Sequence, residues 1–286
     1  MPADVWPLVS IGMPVYNEER HIESAVRSLL AQTYTNFELL IADNASSDST
    51  EEVCKRLAAD TRVRYLRNER NVGAAENFAN VQQLGTGKYF MWASGHDLWD
   101  SDLLQVCVNA LEEHPGAALA VGACEWIGPD GEPSPRQSGG TDTRGMSSVE
   151  RFFTVIWGNM HPVLGVIRAD FLRSSTRVRS CMGADLLLLS ELALKGDFLY
   201  VHRTKWYRRD VRPLESYEQM LRRHRSPQYG LVRGHAGRQF PLLTLAWNLS
   251  RVLWRAPLAL RVRLLAFIGL LGSFPARYVG ARLRRA

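Results

Sequence analysis

Short runs of β-prone residues alternate with helix-period segments from Leu8 to Glu125, and that alternation leaves few folds open. Leu8–Met13, Phe37–Ala42, Val63–Leu66, Tyr89–Ala93 and Ala118–Glu125 read as strands. Between them, Glu19–Gln32 places Ile22, Ala25, Val26, Leu29 and Leu30 at helical spacing. Ser49 and Glu52 form a capping-box pattern that opens a helix to about Ala59. Ala74–Leu84 follows Gly73 as a helix, and Ser101–Glu113 stops before Pro115. Such alternation implies an α/β fold: a mostly parallel sheet flanked by helices on both faces. With 286 residues, 46% of them hydrophobic, the chain has the material for that core. Ligands in such sheets bind beyond the carboxyl ends of the strands. The loops after Met13, Ala42, Leu66 and Ala93 are therefore where function is expected.

The second half is less regular. The segment from Trp126 to Gly145 is rich in Gly, Pro, Ser and Thr, the composition of a lid or binding loop. Ser147 and Glu150 form another capping-box pattern, Val163–Ile167 reads as a strand, and Asp185–Lys195 is a strongly helical run. No internal repeat is evident. Four cysteines lie far apart with no C-x-x-C pair, so neither a zinc site nor a redox dithiol is expected, and the thiols are expected to be reduced. The opening M-P-A-D-V-W-P lacks a basic region followed by a long apolar core, so no secretory signal is expected.

The four strand ends carry polar groups of one kind. They read M-P-V-Y-N-E-E from Met13, A-D-N-A-S-S-D-S-T from Ala42, R-N-E-R-N-V-G-A-A-E-N from Arg67 and W-A-S-G-H-D-L-W from Trp92. An Asp or Asn after any one strand is ordinarily a turn or helix cap. Four such segments at one edge are harder to explain as turns alone. Neither a G-x-x-x-x-G-K-[ST] loop nor a G-x-G-x-x-G turn is present, so the two commonest phosphate cradles are absent.

With V-S-I-G-M-P-V-Y-N-E-E and I-A-D-N-A-S-S-D-S-T in this order and spacing, the chain resembles the family 2 inverting glycosyltransferases of GT-A fold, over about residues 8 to 209. The resemblance implies a nucleotide-sugar donor, a divalent metal and a hydroxyl acceptor. It puts Pro14 and Tyr16 at the nucleobase, with Tyr16 against the ring face, includes Glu18 in the donor site, and makes Asp43 the acceptor of a base N–H. Asn71 and Asn77 fall near the donor phosphates or sugar. Ser94-Gly95-His96-Asp97 occupies the place of the family's D-x-D-type motif: Asp97 falls on the metal-binding aspartate, and His96 stands where another acid is usual. A lone carboxylate with diphosphate oxygens and water can hold Mg2+ or Mn2+; three roles stay open for His96 in the donor site, a contact to the ribose, a nitrogen ligand favouring Mn2+, or a sign of reduced metal dependence. In C-M-G-A-D-L-L, Asp185 falls on the general base, while Ala184 replaces a usual Glu. Tyr207-Arg208 resembles the Y-R after the final strand, which the resemblance implies is a loop facing the diphosphate.

Charge divides the chain near residue 209: the resemblance makes 1–209 the nucleotide-sugar-binding and catalytic unit, and 210–286 reads as a basic amphipathic helical extension. Residues 203–286 hold 18 Lys and Arg against 3 Asp and Glu; the rest hold 17 against 26. The extension also carries apolar runs, Phe240–Leu249 and Leu264–Phe274, yet its longest uncharged stretch, Leu264 to Ala276, is 13 residues. A spanning helix needs about 20. Trp247 and Trp254 among arginines fit helices lying in an anionic membrane interface, with a helical cap on the body as the simpler alternative. Nucleic-acid surfaces are more polar than this, so no nucleic-acid partner is expected. Together these features point to a glycosyltransferase of glycolipid or cell-surface polysaccharide synthesis, cytoplasmic and peripheral at the inner face of the cell membrane, acting on a glycan or lipid-linked acceptor. Two alternatives are a sugar nucleotidyltransferase, against which the acidic M-P-V-Y-N-E-E speaks, and a catalytically inactive nucleotide-sugar-binding protein, suggested by Ser94, His96 and Ala184.

Overall fold

The computed structural model describes residues 6–175, 181–211, 219 and 240–283. The first half follows the expected alternation: β1 (Val9–Val15), α1 (Ile22–Leu30), β2 (Phe37–Asp43), α2 (Thr50–Leu57), β3 (Val63–Arg67), α3 (Ala74–Leu84), β4 (Tyr89–Trp92), β5 (Leu98–Trp99) and α4 (Leu103–Glu113). Then come β6 (Ala117–Ile127), α5 (Ser148–Trp157), a 3-10 turn (His161–Leu164), β7 (Val166–Arg168), α6 (Ala169–Arg173), α7 (Ala184–Lys195) and β8 (Asp197–Arg209). Two helices follow, α8 (Pro241–Arg255) and α9 (Leu260–Leu283).

All eight strands join one sheet in the order β3-β2-β1-β4-β7-β6-β8-β5. β3, β2, β1 and β4 run parallel, as do β6 and β8. β7 runs antiparallel between β4 and β6, and β5 antiparallel beside β8. Side-chain alternation explains why the strands read as nearly continuous hydrophobic runs. In β2, Leu39 and Ile41 enter one core with Met13, Met91 and α1, α2 and α4, while Leu40 and Ala42 enter the other with Phe90, Trp92, α5 and α7. Gly12 leaves room for neighbours on the sheet face: a Cβ there would lie 2.7 Å from the Phe90 ring of β4 and 3.0 Å from Val81 of α3.

The expected strand Val163–Ile167 is instead a 3-10 turn followed by the three-residue β7. Pro162 near its start fixes φ and has no N–H to give a ladder. The long β8 was not evident from its sequence. Its register against β6 slips between the Gly122–Val201 and Ala123–Lys205 pairs, and this breaks the two-residue alternation. The two capping boxes differ in outcome. At Ser147 both reciprocal bonds form. At Ser49 the side chain caps nothing; Asp48 Oδ1 accepts the Thr50 N–H at 3.0 Å instead.

α8 and α9 are built onto the body rather than held off it. Leu245, Leu249, Val252 and Leu253 of α8, and Ala266, Leu270 and Phe274 of α9, are buried in the core shared with α5 and α7. Their outer faces carry Leu243, Trp247, Leu265, Ile268 and Leu271 exposed. Among the described residues, no helix is long and apolar enough to cross a membrane.

Candidate active site

Strand register sets the site. Val15 of β1 pairs with Asp43 of β2, and Asp43 with Arg67 of β3, so the following loops leave the sheet at one level. They then interlock. The Asn17 N–H donates to Ser46 Oγ at 3.0 Å, and the Ser47 N–H donates back to Asn17 Oδ1 at 2.9 Å. The Glu18 N–H donates to Thr50 Oγ1 at 2.8 Å. Asn17 and Ala45 both adopt left-handed backbone, φ 55° and 60°, a conformation that L side chains resist and that clusters at functional sites.

Asp43 is fully buried. Its Oδ1 accepts from the Ser46 N–H and hydroxyl at 2.9 and 2.6 Å; its Oδ2 accepts from the Tyr65 hydroxyl at 2.7 Å and Arg67 at 2.8 Å. Four donors fill the approximate lone-pair capacity of a carboxylate. A base N–H aimed at Asp43 would therefore share or displace one of them. Burial and the Asp43 carboxylate push the Tyr65 hydroxyl well above its ordinary range, which keeps it protonated as a donor. Arg67 is one-third exposed and also meets Glu51 at 3.2 Å. Nothing in the sequence singled out Tyr65 or Arg67; they reach Asp43 through strand register, alternate residues on β3 facing the same way.

Asn71 and Asn77 belong to a clip around the β2 end. Asn71 Oδ1 accepts from Asn44 at 2.9 Å and from the Gly73 N–H at 2.8 Å. Buried Asn77 donates to the Ala42 carbonyl at 2.7 Å and accepts from Asn68 at 3.0 Å. Pro14 is half-buried at the end of β1, and Tyr16 is exposed beside it.

A second cluster joins the loop after β1 to the turn between β4 and β5. Glu18 Oε1 lies 2.9 Å from His96 Nδ1, and His96 Nε2 lies 4.0 Å from Asp97 Oδ1. Asp97 is 1% exposed. Burial raises its pKa, offset in part by His96, the Arg209 N–H, Arg208 and Ser94. Arg209 ties this turn down: its N–H donates to Asp97 Oδ1 at 2.9 Å and its Nε to the His96 carbonyl at 2.9 Å. Its Nη1 reaches the Pro129 carbonyl at 3.0 Å, so the loop after β6 is fastened to the same place. Among the described residues, no group of three or more His, Cys, Asp or Glu side chains is arranged to hold an ion. The smaller donor set, the His96 imidazole beside the buried Asp97 carboxylate, is of the chemical kind that suits a divalent ion drawing its other ligands from diphosphate oxygens.

The bonds just described bring Glu18, His96 and Asp97 together, and join Asp43 to its own cluster; Tyr16 and Asp185 are not among them. Asp185 is exposed in the first turn of α7. That turn begins at Gly183, left-handed at φ 73°, where a Cβ would lie 2.7 Å from Leu245 of α8. Glycine takes this left-handed turn without strain and leaves Leu245 its place.

A sequence model described as Glycosyl transferase family 2 matches residues 10–171. WfgD of Escherichia coli, a UDP-Glc:alpha-D-GlcNAc-diphosphoundecaprenol beta-1,3-glucosyltransferase, is 35% identical over 104 residues, 36% of this chain and 41% of that protein. EpsE of Bacillus subtilis, a putative glycosyltransferase by name, is 34% identical over 110 residues, 38% of this chain and 40% of that protein. The matched segment thus spans about two fifths of the length of these relatives. Among solved structures, TarS of S. aureus with UDP-GlcNAc superposes with a TM-score of 0.69 at 15% identity, covering 96% of this chain and 73% of that one. GalNAc-T7 with UDP, GalNAc and Mn2+ gives 0.56 at 15% identity, covering 74% of this chain and 46% of that one. These structural likenesses establish the GT-A fold. The family model spans more than half of the sequence, including all four interlocked strand ends, and on that match the chain belongs to glycosyl transferase family 2.

Proposed function

We propose that this chain transfers a sugar, hexosyl or deoxyhexosyl, from a nucleoside diphosphate to an acceptor hydroxyl with inversion, in the synthesis of a glycolipid or cell-surface polysaccharide. The observation that carries the reading is the meeting of the loops after β1, β2, β3 and β4 at one sheet edge, with Asp43, Tyr65 and Arg67 at one end and Glu18, His96 and Asp97 at the other. Residues 1–209 would do the chemistry. Tyr16 and Pro14 wall the base, while Asp43 and Arg67 present an acceptor and a donor to its edge. Asn71 and Asn77 shape the loop under the diphosphate. Held by Asp97 and His96, Mn2+ or Mg2+ would offset charge on the departing diphosphate. Asp185 takes the acceptor's proton as its oxygen attacks the anomeric carbon from the face opposite the nucleotide. Such a base contributes about 10²–10⁴-fold. Two likenesses support the donor and acceptor classes: the TarS structure contains UDP-GlcNAc, and WfgD is named for UDP-glucose and a diphosphoundecaprenol-linked acceptor. The basic extension, residues 210–286, would hold the enzyme peripherally on the anionic inner face of the cell membrane.

The test is a thermal-shift screen of UDP-, GDP- and TDP-sugars with and without Mn2+. A ligand at about 100 times its Kd stabilises by about 2.7 kcal/mol. Binding of a nucleotide sugar is the expected result, and indifference to all of them would refute the reading. Asp185→Asn then separates enzyme from inactive binder: turnover should fall at least 100-fold with donor affinity within twofold of the parent. Undiminished turnover would remove Asp185 from the mechanism.

A further inference from the structure

The buried carboxylate at the end of β2 has its lone pairs filled, and one of its donors differs in kind from the others. Ser46 is buried and its backbone is pinned twice: its N–H donates to Asp43 Oδ1 at 2.9 Å, and its carbonyl accepts from Arg67 Nη2 at 3.0 Å. Ala45, left-handed at φ 60°, turns the chain so that the Ser46 N–H and hydroxyl both come back to the same oxygen. The hydroxyl donates to Oδ1 at 2.6 Å, while its own oxygen accepts the Asn17 N–H at 3.0 Å from the loop after β1. Tyr16 precedes Asn17 in that loop. Ser46 thus stands between the ring proposed for the face of the base and the carboxylate proposed for its edge.

The two oxygens of Asp43 are not equally open to a newcomer. Oδ2 is turned to β3, where the Tyr65 hydroxyl and the Arg67 guanidinium reach it. Arg67 brings the balancing charge to a fully buried carboxylate, and a charge-assisted bond of that kind is the hardest to give up. Oδ1 is turned to the loop after β1. One of its donors, the Ser46 N–H, is fixed in the backbone; the other, the Ser46 hydroxyl, rotates about a single bond. When that hydroxyl turns away, the Ser46 oxygen still accepts from Asn17 and the Ser46 N–H still holds Oδ1. Among the donors to Asp43, the Ser46 hydroxyl alone can leave without moving backbone or uncovering a charge.

We propose that the Ser46 hydroxyl holds the place of a base N–H on Asp43 Oδ1, and that a nucleotide binds by exchanging its ring N–H for this hydroxyl. The inference rests on the glycosyltransferase reading and deepens it, because Ser46 then sets how strongly the site selects among bases. In the exchange one hydrogen bond to the carboxylate replaces another, so the base N–H gains little from Asp43. A base with a lone pair at that ring position, such as cytosine, cannot make the exchange. Removing the hydroxyl leaves a lone pair of Oδ1 open. The base N–H then forms its bond with none broken, and selection for N–H-bearing bases sharpens.

UDP, TDP and GDP, each with a ring N–H beside a carbonyl, are titrated calorimetrically into the full chain, with CDP as the reference. The readout is the Kd of CDP divided by that of the tightest of the three. Loosening of the Tyr16 loop in a variant weakens every nucleotide and cancels in this ratio, so a merely structural role for Ser46 would not move it. Ser46→Ala should raise the ratio about fivefold or more, and Ser46→Gly, which removes the same hydroxyl, should do likewise. Tyr65→Phe, which opens Oδ2 instead, should leave it within about twofold. A ratio unchanged or lowered in the Ser46 variants overturns the exchange. So does an equal or larger rise in Tyr65→Phe, which would put the base on Oδ2. A parent chain that binds none of the nucleotides refutes the glycosyltransferase reading before any variant is compared, and the proposal falls with it; a parent that binds while the ratio stays put sinks the exchange alone.

Discussion

His161, packed between the rings of Trp126 and Trp206, shows what a single side chain contributes and at what cost. Burial, then the charges of Arg208 and Arg136, pull its pKa down from 6.5 to about 4. The unfolded chain accepts a proton near 6.5 that the folded chain refuses until about 4. The associated stability is therefore complete above pH 6.5 and falls as the pH drops toward 4. His161→Gln keeps a neutral polar group and removes the titration. Urea unfolding at pH 7 and pH 5 should show a pH-dependent loss smaller in the variant by about 1–2 kcal/mol, allowing for the imidazole's partial contact with solvent. Equal losses would mean that the imidazole is protonated in place.

At the scale of elements, the two capping boxes make a matched pair. Ser147 accepts from the Glu150 N–H and Glu150 accepts from the Ser147 N–H, whereas Ser49 caps nothing. Ser147→Ala should cost about 1 kcal/mol in urea unfolding, and Ser49→Ala should stay within about 0.5 kcal/mol. The sequence pattern is the same in both. The difference arises because the loop after β1 uses Asp48 and Thr50 as partners, which a local pattern cannot foresee. The same division runs through the fold. β1, β2 and β4 were legible because each is a local hydrophobic run buried on both faces, and the edge strand β3, with Arg64 and Arg67 exposed, was legible from its place in the alternation with helices. β8 was not, because its bulge and its arginines and lysine conceal the alternation. At the site, the positions of Asp43 and Asp97 at strand ends were legible from motif and spacing. Their surroundings were not: Tyr65 and Arg67 meet Asp43 through register, Arg209 meets Asp97 across 112 residues, and Arg136 reaches Trp126 from a loop without periodicity.

The whole molecule has a direction. α8 and α9 bury one face against α5 and α7 and leave the other to solvent, with Leu243, Trp247, Leu265 and Ile268 each more than 60% exposed. Arg251, Arg255, Arg261 and Arg263 lie on the same two helices. Apolar side chains bordered by arginines suit the boundary between headgroups and acyl chains of an anionic bilayer. The placement also bears on chemistry, since Leu245 of α8 packs against Gly183, two residues before Asp185. A lipid-linked acceptor entering along α8 would meet Asp185, the base proposed above, at the start of α7. Each inserted large apolar side chain contributes up to about 1.5–3 kcal/mol, and each arginine near an anionic surface about 1 kcal/mol. The full chain should therefore float with phosphatidylglycerol-rich vesicles at low salt, weaken but persist as salt rises, and bind neutral vesicles less well. Its tryptophan emission should shift to the blue on binding. Trp247→Ser with Ile268→Ser, both on the exposed face, should weaken flotation at least tenfold without lowering Tm. Protein that stays unbound at low salt would refute membrane docking. Self-association lost in the same double variant would show instead that a second copy of the chain covers this face.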